Sequence, residues 1–376
     1  MNNKPHREYS IDLLRELSML MIVSLHSLSH GNILSLSSDN LLYGVFFHIV
    51  FAICILSVNI FVLISGYFLS QQHFRTSKLI NLICETLFYA WLILCLRFCL
   101  HDKPDSSEIL ASVLPISFKL YWFISAYIVM YMLSPVVNSA LKRLTQKQHI
   151  VLIIVLVAIF SLWSDLIPFS TPMGISGRGT DVVWFVVLYI IGAYIGQYVK
   201  DVKTNKALIF GAGCCALLVV SWLALMLVMN LVGLKLDKDH FVFASNYYYR
   251  YNSLFSLIGS VCLFLVFKNI VITGKFWTRL IKFVAPLTLG VYLIHDNPLL
   301  RNYVWKGLVN MESLTPNSPL IVFVYVLLVF TICLMLDCVR KLVTSLYSNN
   351  QNYKAFMERL DSKTVLLFSN IVDKFL

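Results

Sequence analysis

About ten apolar stretches, most close to the ~20 residues that a bilayer-spanning helix needs, follow one another along this chain. Nothing else in the sequence restricts the fold as strongly. In hydrocarbon every backbone N–H and C=O must be satisfied within the protein, which leaves helices and closed barrels. Runs of this length without period-two alternation are helical. The expected spans are 10–30, 41–70, 79–100, 118–138, 149–167, 182–199, 207–233, 253–272, 281–300 and 319–341. The second exceeds what a bilayer requires, so it tilts, breaks or carries an interfacial turn. With 376 residues, 59% hydrophobic and 13% charged, the chain is expected to be an all-α polytopic membrane protein.

The formal charge of +11 has a topological meaning. Lys4, Arg7, Arg75, Lys78, Lys142, Arg143, Lys147, Lys200, Lys203, Lys206, Lys268, Lys275, Arg279 and Lys282 fall at alternate ends of the spans, and the intervening loops carry fewer cations. The positive-inside rule then places both termini in the cytoplasm. No nucleic-acid motif accompanies the basic excess. Arg15 and Glu16 interrupt the first run and no small-residue cleavage site follows, so that run is expected to be a retained span and not a signal peptide. The nine cysteines lie in or beside apolar runs without a C-x-x-C spacing, and read as buried small hydrophobes. Residues 1–341 form one membrane domain. The tail 342–376 has apolar residues at helix-like spacing, consistent with an amphipathic helix on the inner surface or with a loosely ordered segment. The Gly-rich outer loop 171–181 follows no strand, so a phosphate cradle has no support there.

Within the first span, Arg15 and His26 stand eleven positions apart. Eleven helical residues make about three turns and rise about 16 Å, so both side chains leave nearly one face at different depths. Ionisable groups inside a span usually face a cavity or a partner. Asp12 is placed to pair with Arg15, and a snorkelling arginine would account for Arg15 alone. His48 and His295, the latter beside Asp296, are expected at a depth similar to His26, where the three histidines can line one outward-facing cavity. A metal site there has no diagnostic spacing behind it, and none is expected. Glu85 is expected near the depth of Arg15, as its ion-pair partner or as an acid in a donor pathway. Arg75 and Lys78 offer cations to a cytoplasmic anion, although topology alone would explain them. Arg97 and Asp337 are expected at the interfaces. In the outer loop 234–252, Tyr247, Tyr248, Tyr249 and Tyr251 with Arg250 can bind sugar rings and hydroxyls, or simply sit at the interface as tyrosines do.

Several segments together resemble the membrane acyltransferase type 3 family. REYSIDLLRELSMLMIVSLHS looks like the family's first helix, with Arg15 and His26 on its arginine and histidine positions. VNIFVLISGYFLS, with Phe61 and Ser65-Gly66-Tyr67, is similar to its second span. YWFISAYIVMYMLSPVVN, with Trp122, Phe123, Tyr131, Ser134 and Pro135, resembles its fourth, and LYIIGAYIG and LGVYLIHDNPL also look familial. The resemblance covers most of the spans and is closest to the loop-poor members that O-acetylate capsules, O-antigens or enterobacterial common antigen. It lacks the fused extracytoplasmic esterase-like domain of some relatives, and its basic segment after span two is thin.

The resemblance implies an O-acetyltransferase of the bacterial cytoplasmic membrane. It would take acetyl-CoA as co-substrate, without a tightly bound cofactor, and act on a surface glycan or its lipid-linked precursor. Arg15 would hold a polar part of the donor or polarise the thioester. His26 would act as general base on a sugar hydroxyl, or carry the acetyl group itself. Arg75, Lys78, Glu85 and Ser65 join Arg15 as donor-binding candidates. His48, His295, Asp296, Tyr249, Arg250 and Trp122 are the acceptor-binding candidates. The alternatives are a transporter or polymerase of lipid-linked glycans, and an acyltransferase acting on a small molecule or peptide.

Overall fold

A computed structural model describes residues 8–36, 41–167, 178–200, 249–307 and 319–375, with scattered positions between 205 and 236. All regular structure among them is helical. The principal helices are α1 (Tyr9–His30), α2 (Leu41–Cys54), α3 (Leu56–Leu69), α4 (Thr76–Cys99), α5 (Trp122–Lys142) and α6 (Gln146–Val157). They are followed by α7 (Val182–Tyr198), α8 (Leu254–Lys268), α9 (Lys275–Val284), α10 (Thr288–His295), α11 (Pro319–Ser348) and α12 (Gln351–Phe375).

Among the described residues, six helices are long and apolar enough to cross a membrane: Leu42–Leu69, Thr76–Cys99, Trp122–Lys142, Gln146–Leu166, Lys275–His295 and Pro319–Ser348. Val182–Tyr198 and Leu254–Lys268 are shorter apolar helices. Helix α1, with Asp12, Arg15 and Glu16, is more highly charged yet largely buried by its neighbours. The protein is therefore a polytopic all-α membrane protein. The expected span 207–233 lies largely outside the described residues, as do Tyr247, Tyr248 and most of the 171–181 loop.

Local chemistry sets several helix boundaries. The long second run breaks at Ile55 between α2 and α3. Thr145 and Gln148 form a reciprocal capping box that starts α6, and the Asp181 side chain accepts from the Trp184 amide to start α7. In the ninth span, a tight turn at Ala285–Leu287 containing Pro286 separates α9 from α10. Broken helices at membrane depth are tolerated where they line a cavity, and Ala285 and Pro286 do so here.

Small residues bring α3 and α7 into close contact. A Cβ at Gly66 would lie 2.2 Å from the Tyr189 carbonyl oxygen, and one at Gly192 would lie 2.4 Å from that of Leu63. Backbones approach this closely only when glycine occupies the crossing, the usual device for packing helices in lipid. The Ser-Gly-Tyr and LYIIGAYIG segments are thus two sides of one interface.

The tail beyond α11 contains a helix. Asp361 of α12 accepts hydrogen bonds from the Ser77 amide (2.8 Å) and hydroxyl (2.7 Å), and Thr364 meets Thr76 at 2.7 Å. Arg75, the N-cap of α4, makes no side-chain cap, so Asp361 supplies one from a distant helix.

Candidate active site

Helix α1 presents Arg15 and His26 to one cavity of about 320 Å³. Its wall also includes Phe61 and Ser65 of α3, Glu85 of α4, Trp122 and Tyr127 of α5, Tyr292 of α10, and Tyr251. A second cavity of about 390 Å³ is lined by Arg15, Ser65, Leu82 and Tyr127 as well, and adds Gln72, Lys78 and Tyr131. Those four residues border both cavities, so the two adjoin. Lys78 lines the second cavity, His26 lines the first, and Arg15 lines both. Arg15 is held by Asp12 at 3.1 Å, with its side chain 31% exposed.

His26 belongs to a cluster of histidines and a carboxylate. His26 Nδ1 lies 3.0 Å from His295 Nε2. His295 Nδ1 lies 2.6 Å from the Val291 carbonyl one turn earlier in α10. Asp296 follows at the end of that helix, with its Oδ1 3.5 Å from His26 Nδ1 and 3.6 Å from His30 Nε2. Arg301 donates to the same oxygen at 2.8 Å. Asn297 fixes the turn by donating to the Tyr121 hydroxyl at 2.7 Å and accepting from the Leu299 amide. His26, His295 and Asp296 are all buried. Burial among fixed partners is what a proton-transfer group requires.

A guanidinium and an imidazole on one cavity wall, the imidazole backed by a second histidine and a carboxylate, suit group transfer. The comparison with known families settles the class of reaction: residues 8–338 match the acyltransferase 3 family, described as an acyltransferase domain. The chain belongs to that family. The protein is a membrane acyltransferase, and the transporter or polymerase alternative falls away. No curated protein and no solved structure shows a significant match to it.

In this acyltransferase 3 protein, the other candidate residues divide into those at the cavity and those away from it. Ser65 lies 3.1 Å from the Tyr127 hydroxyl on the shared wall. Trp122 stacks on Tyr251 with ring centroids 5.6 Å apart. Lys78 lines the second cavity and donates to Gln72 at 3.2 Å. Arg75 is engaged through its backbone, which exchanges hydrogen bonds with the Tyr131 hydroxyl.

Glu85 lines the main cavity, but its ion pair is with Arg340 of α11 at 2.9 Å and not with Arg15. Arg340 also clasps Asp337 at 2.6 Å, and Asp337 accepts from Tyr89 at 2.7 Å. Asp337 is 0% exposed and therefore faces protein on all sides. Its carboxylate fits against Gly290, where a Cβ would lie 2.1 Å from the Asp337 carboxyl carbon.

His48 does not join His26. Its Nδ1 pairs with the Tyr249 hydroxyl at 2.9 Å, and neither residue lines the two cavities described. The expectation of three histidines in one cavity is corrected accordingly: His26 is joined by His295 and His30. Arg250 is buried against Asp165 at 2.7 Å and ties the outer loop to the end of the α6 segment.

One atom each of His26, His30 and Asp296 fall within 4.8 Å of one another, a spacing compatible with a cation. The donor set argues against one. His26 Nδ1 already faces His295, and the Arg301 guanidinium already compensates the Asp296 oxygen.

The sequence reading missed Asn59, Tyr127, Tyr292, Arg301 and Arg340. Asn59 donates to the Tyr251 carbonyl at 2.7 Å and accepts from Trp184 at 3.1 Å, which seats Tyr251 over the cavity. An asparagine within an apolar run was a signal available for that role. Tyr292 and Arg301 flank a histidine–aspartate pair already singled out.

Proposed function

We propose that this acyltransferase moves an acetyl group from cytoplasmic acetyl-CoA to a hydroxyl of a cell-surface glycan or its lipid-linked precursor. It would do so in the bacterial cytoplasmic membrane, with both termini inside. The observation that carries this reading is that two cavities share Arg15 in their walls, one bordered by Lys78 and the other by His26. Acetyl-CoA is made on one side of the membrane and surface glycans mature on the other, so donor and acceptor must meet within the protein.

The spacing assigns separate tasks. With about 16 Å of rise between them, Arg15 cannot touch a carbonyl under attack at His26. Arg15 therefore holds a polar part of the donor's long arm, with Lys78 behind it, and its planar fork suits amide or phosphate oxygens. The acyl end reaches His26 between Trp122, Tyr127 and Tyr292. His26 takes the proton from the acceptor hydroxyl as the oxygen bonds to the thioester carbonyl carbon. The C–S bond breaks, the thiolate of coenzyme A leaves, and the proton passes from the imidazolium to that sulfur. The products are the acetyl ester and the free thiol. His295 and Asp296 then belong to the proton-transfer cluster, and Trp122 and Tyr251 form the aromatic wall for the acceptor.

The test uses inside-out vesicles from cells with and without the protein, given acetyl-labelled acetyl-CoA. The expected result is label in the surface glycan or its lipid-linked form, dependent on the protein. Well-inserted protein with no label transferred to any glycan would overturn the assignment of donor and acceptor.

A further inference from the structure

We infer that His295 is a positioning residue that holds His26 in the tautomer with hydrogen on Nδ1, so that Nε2 is the nitrogen that works in the cavity. The inference rests on the proposed role of His26 as base, and deepens it. The argument is one of donors and acceptors. The Val291 carbonyl can only accept, so His295 Nδ1, 2.6 Å away, carries the hydrogen. A neutral imidazole with hydrogen on Nδ1 has a lone pair on Nε2. That lone pair faces His26 Nδ1 at 3.0 Å, so His26 donates there and keeps its own lone pair on Nε2. A backbone carbonyl of α10 thus dictates the protonation pattern of a side chain on α1.

The surrounding charges fit the same role. Once His26 Nε2 takes a proton, the ring is cationic, and Asp296 lies 3.5 Å from Nδ1 to stabilise it. At rest Arg301 balances that carboxylate, and His30 and Tyr292 complete the ring of titratable groups around His26. Holding the correct tautomer is worth a great deal where it has been broken in a comparable base, on the order of 10⁴-fold in turnover.

The test compares His295→Gln with His295→Leu in inside-out vesicles carrying labelled acetyl-CoA, alongside nitrogen-15 histidine NMR of the purified protein. The His26 signal is assigned by its loss in His26→Ala. The expected outcome is a fall in kcat of about 100-fold or more for His295→Leu, with KM for acetyl-CoA unchanged. His295→Gln should recover at least about a tenth of the wild-type rate, because its amide oxygen can accept from His26 Nδ1. Wild-type His26 should show the Nδ1–H tautomer, and His295→Leu should lose it. An Nε2–H tautomer in the wild type would overturn the inference, and this measurement stands even if His295→Leu fails to fold. So would equal loss of rate in folded Gln and Leu variants, or wild-type rate in the Leu variant. A wild type that does not use acetyl-CoA would instead overturn the proposed function, with the tautomer measurement unaffected.

An independent observation points to Tyr292. It lines the cavity, is 5% exposed, and its hydroxyl has no hydrogen-bond partner among the described residues. A buried hydroxyl left without a partner is costly, so one carried by a cavity-wall residue calls for a ligand. Its ring lies 6.5 Å from that of His26, centroid to centroid. We propose that the Tyr292 hydroxyl donates to the thioester carbonyl oxygen as negative charge develops on it. Tyr292→Phe removes only the hydroxyl. The expected result is a kcat lower by about 10²–10³-fold, with KM for acetyl-CoA and the His26 tautomer unchanged. Turnover within about twofold of wild type, far short of the loss of an oxyanion donor, would overturn this assignment.

Discussion

At the scale of residues, two clusters of charged and titratable side chains stand beside the cavity. His26 lines it, with His295, Asp296 and Arg301 grouped on His26. Glu85, Asp337 and Arg340 tie α4 to α11 beside α10, with Glu85 reaching the cavity wall. In the second set a single guanidinium pairs with two carboxylates, so its removal breaks both ion pairs. Arg340→Ala should therefore lower stability by about 3–5 kcal/mol, the usual consequence of breaking a buried pair from one side. Glu85→Gln, which removes one of the two negative charges and keeps the shape, should cost much less. Thermal unfolding of the detergent-purified variants checks the order. Equal midpoints for Arg340→Ala and wild type would show that the network does not hold these helices.

At the scale of elements, the places of the helices along the chain were legible in the sequence, whereas orientations around the helix axes were not. The apolar runs located the helices because span length is set by bilayer thickness. The three-turn relation of Arg15 and His26 followed from helix geometry alone, and the structure places both on one cavity. Partner choice is different. Glu85 was placed at a depth that suited Arg15, but α11 brings Arg340 against it from the other end of the sequence. His48 shares the expected depth of His26 yet faces Tyr249. Depth follows from counting residues; azimuth follows from which helices neighbour one another, and a single sequence does not encode that in any local pattern. The α3–α7 crossing gives a test at this scale. Gly192→Val would drive a Cβ into the Leu63 carbonyl, and overpacking of this kind costs about 1–3 kcal/mol or more. The expected result is a lowered unfolding midpoint, whereas Gly213→Ala, whose Cβ would meet nothing within 4 Å among the described residues, leaves the midpoint unchanged. A Gly192→Val protein as stable as wild type would contradict the close packing.

At the scale of the whole molecule, the account is of one membrane-embedded path with a donor end and an acceptor end. Its orientation can be tested apart from its chemistry. Ser107, exposed in the short helix Ser106–Val113 that follows α4, should react from outside with an impermeant thiol reagent once replaced by cysteine in a background lacking other cysteines. Labelling only after permeabilisation would reverse the donor and acceptor ends. The central claim is that acyl transfer passes through His26 on the wall of the cavity that Arg15 also lines. The most direct measurement is transfer of labelled acetyl from acetyl-CoA to glycan by His26→Ala in inside-out vesicles, at matched protein level. The account predicts loss of transfer with donor binding retained. A well-inserted His26→Ala protein that transfers acetyl groups at near the wild-type rate would contradict it.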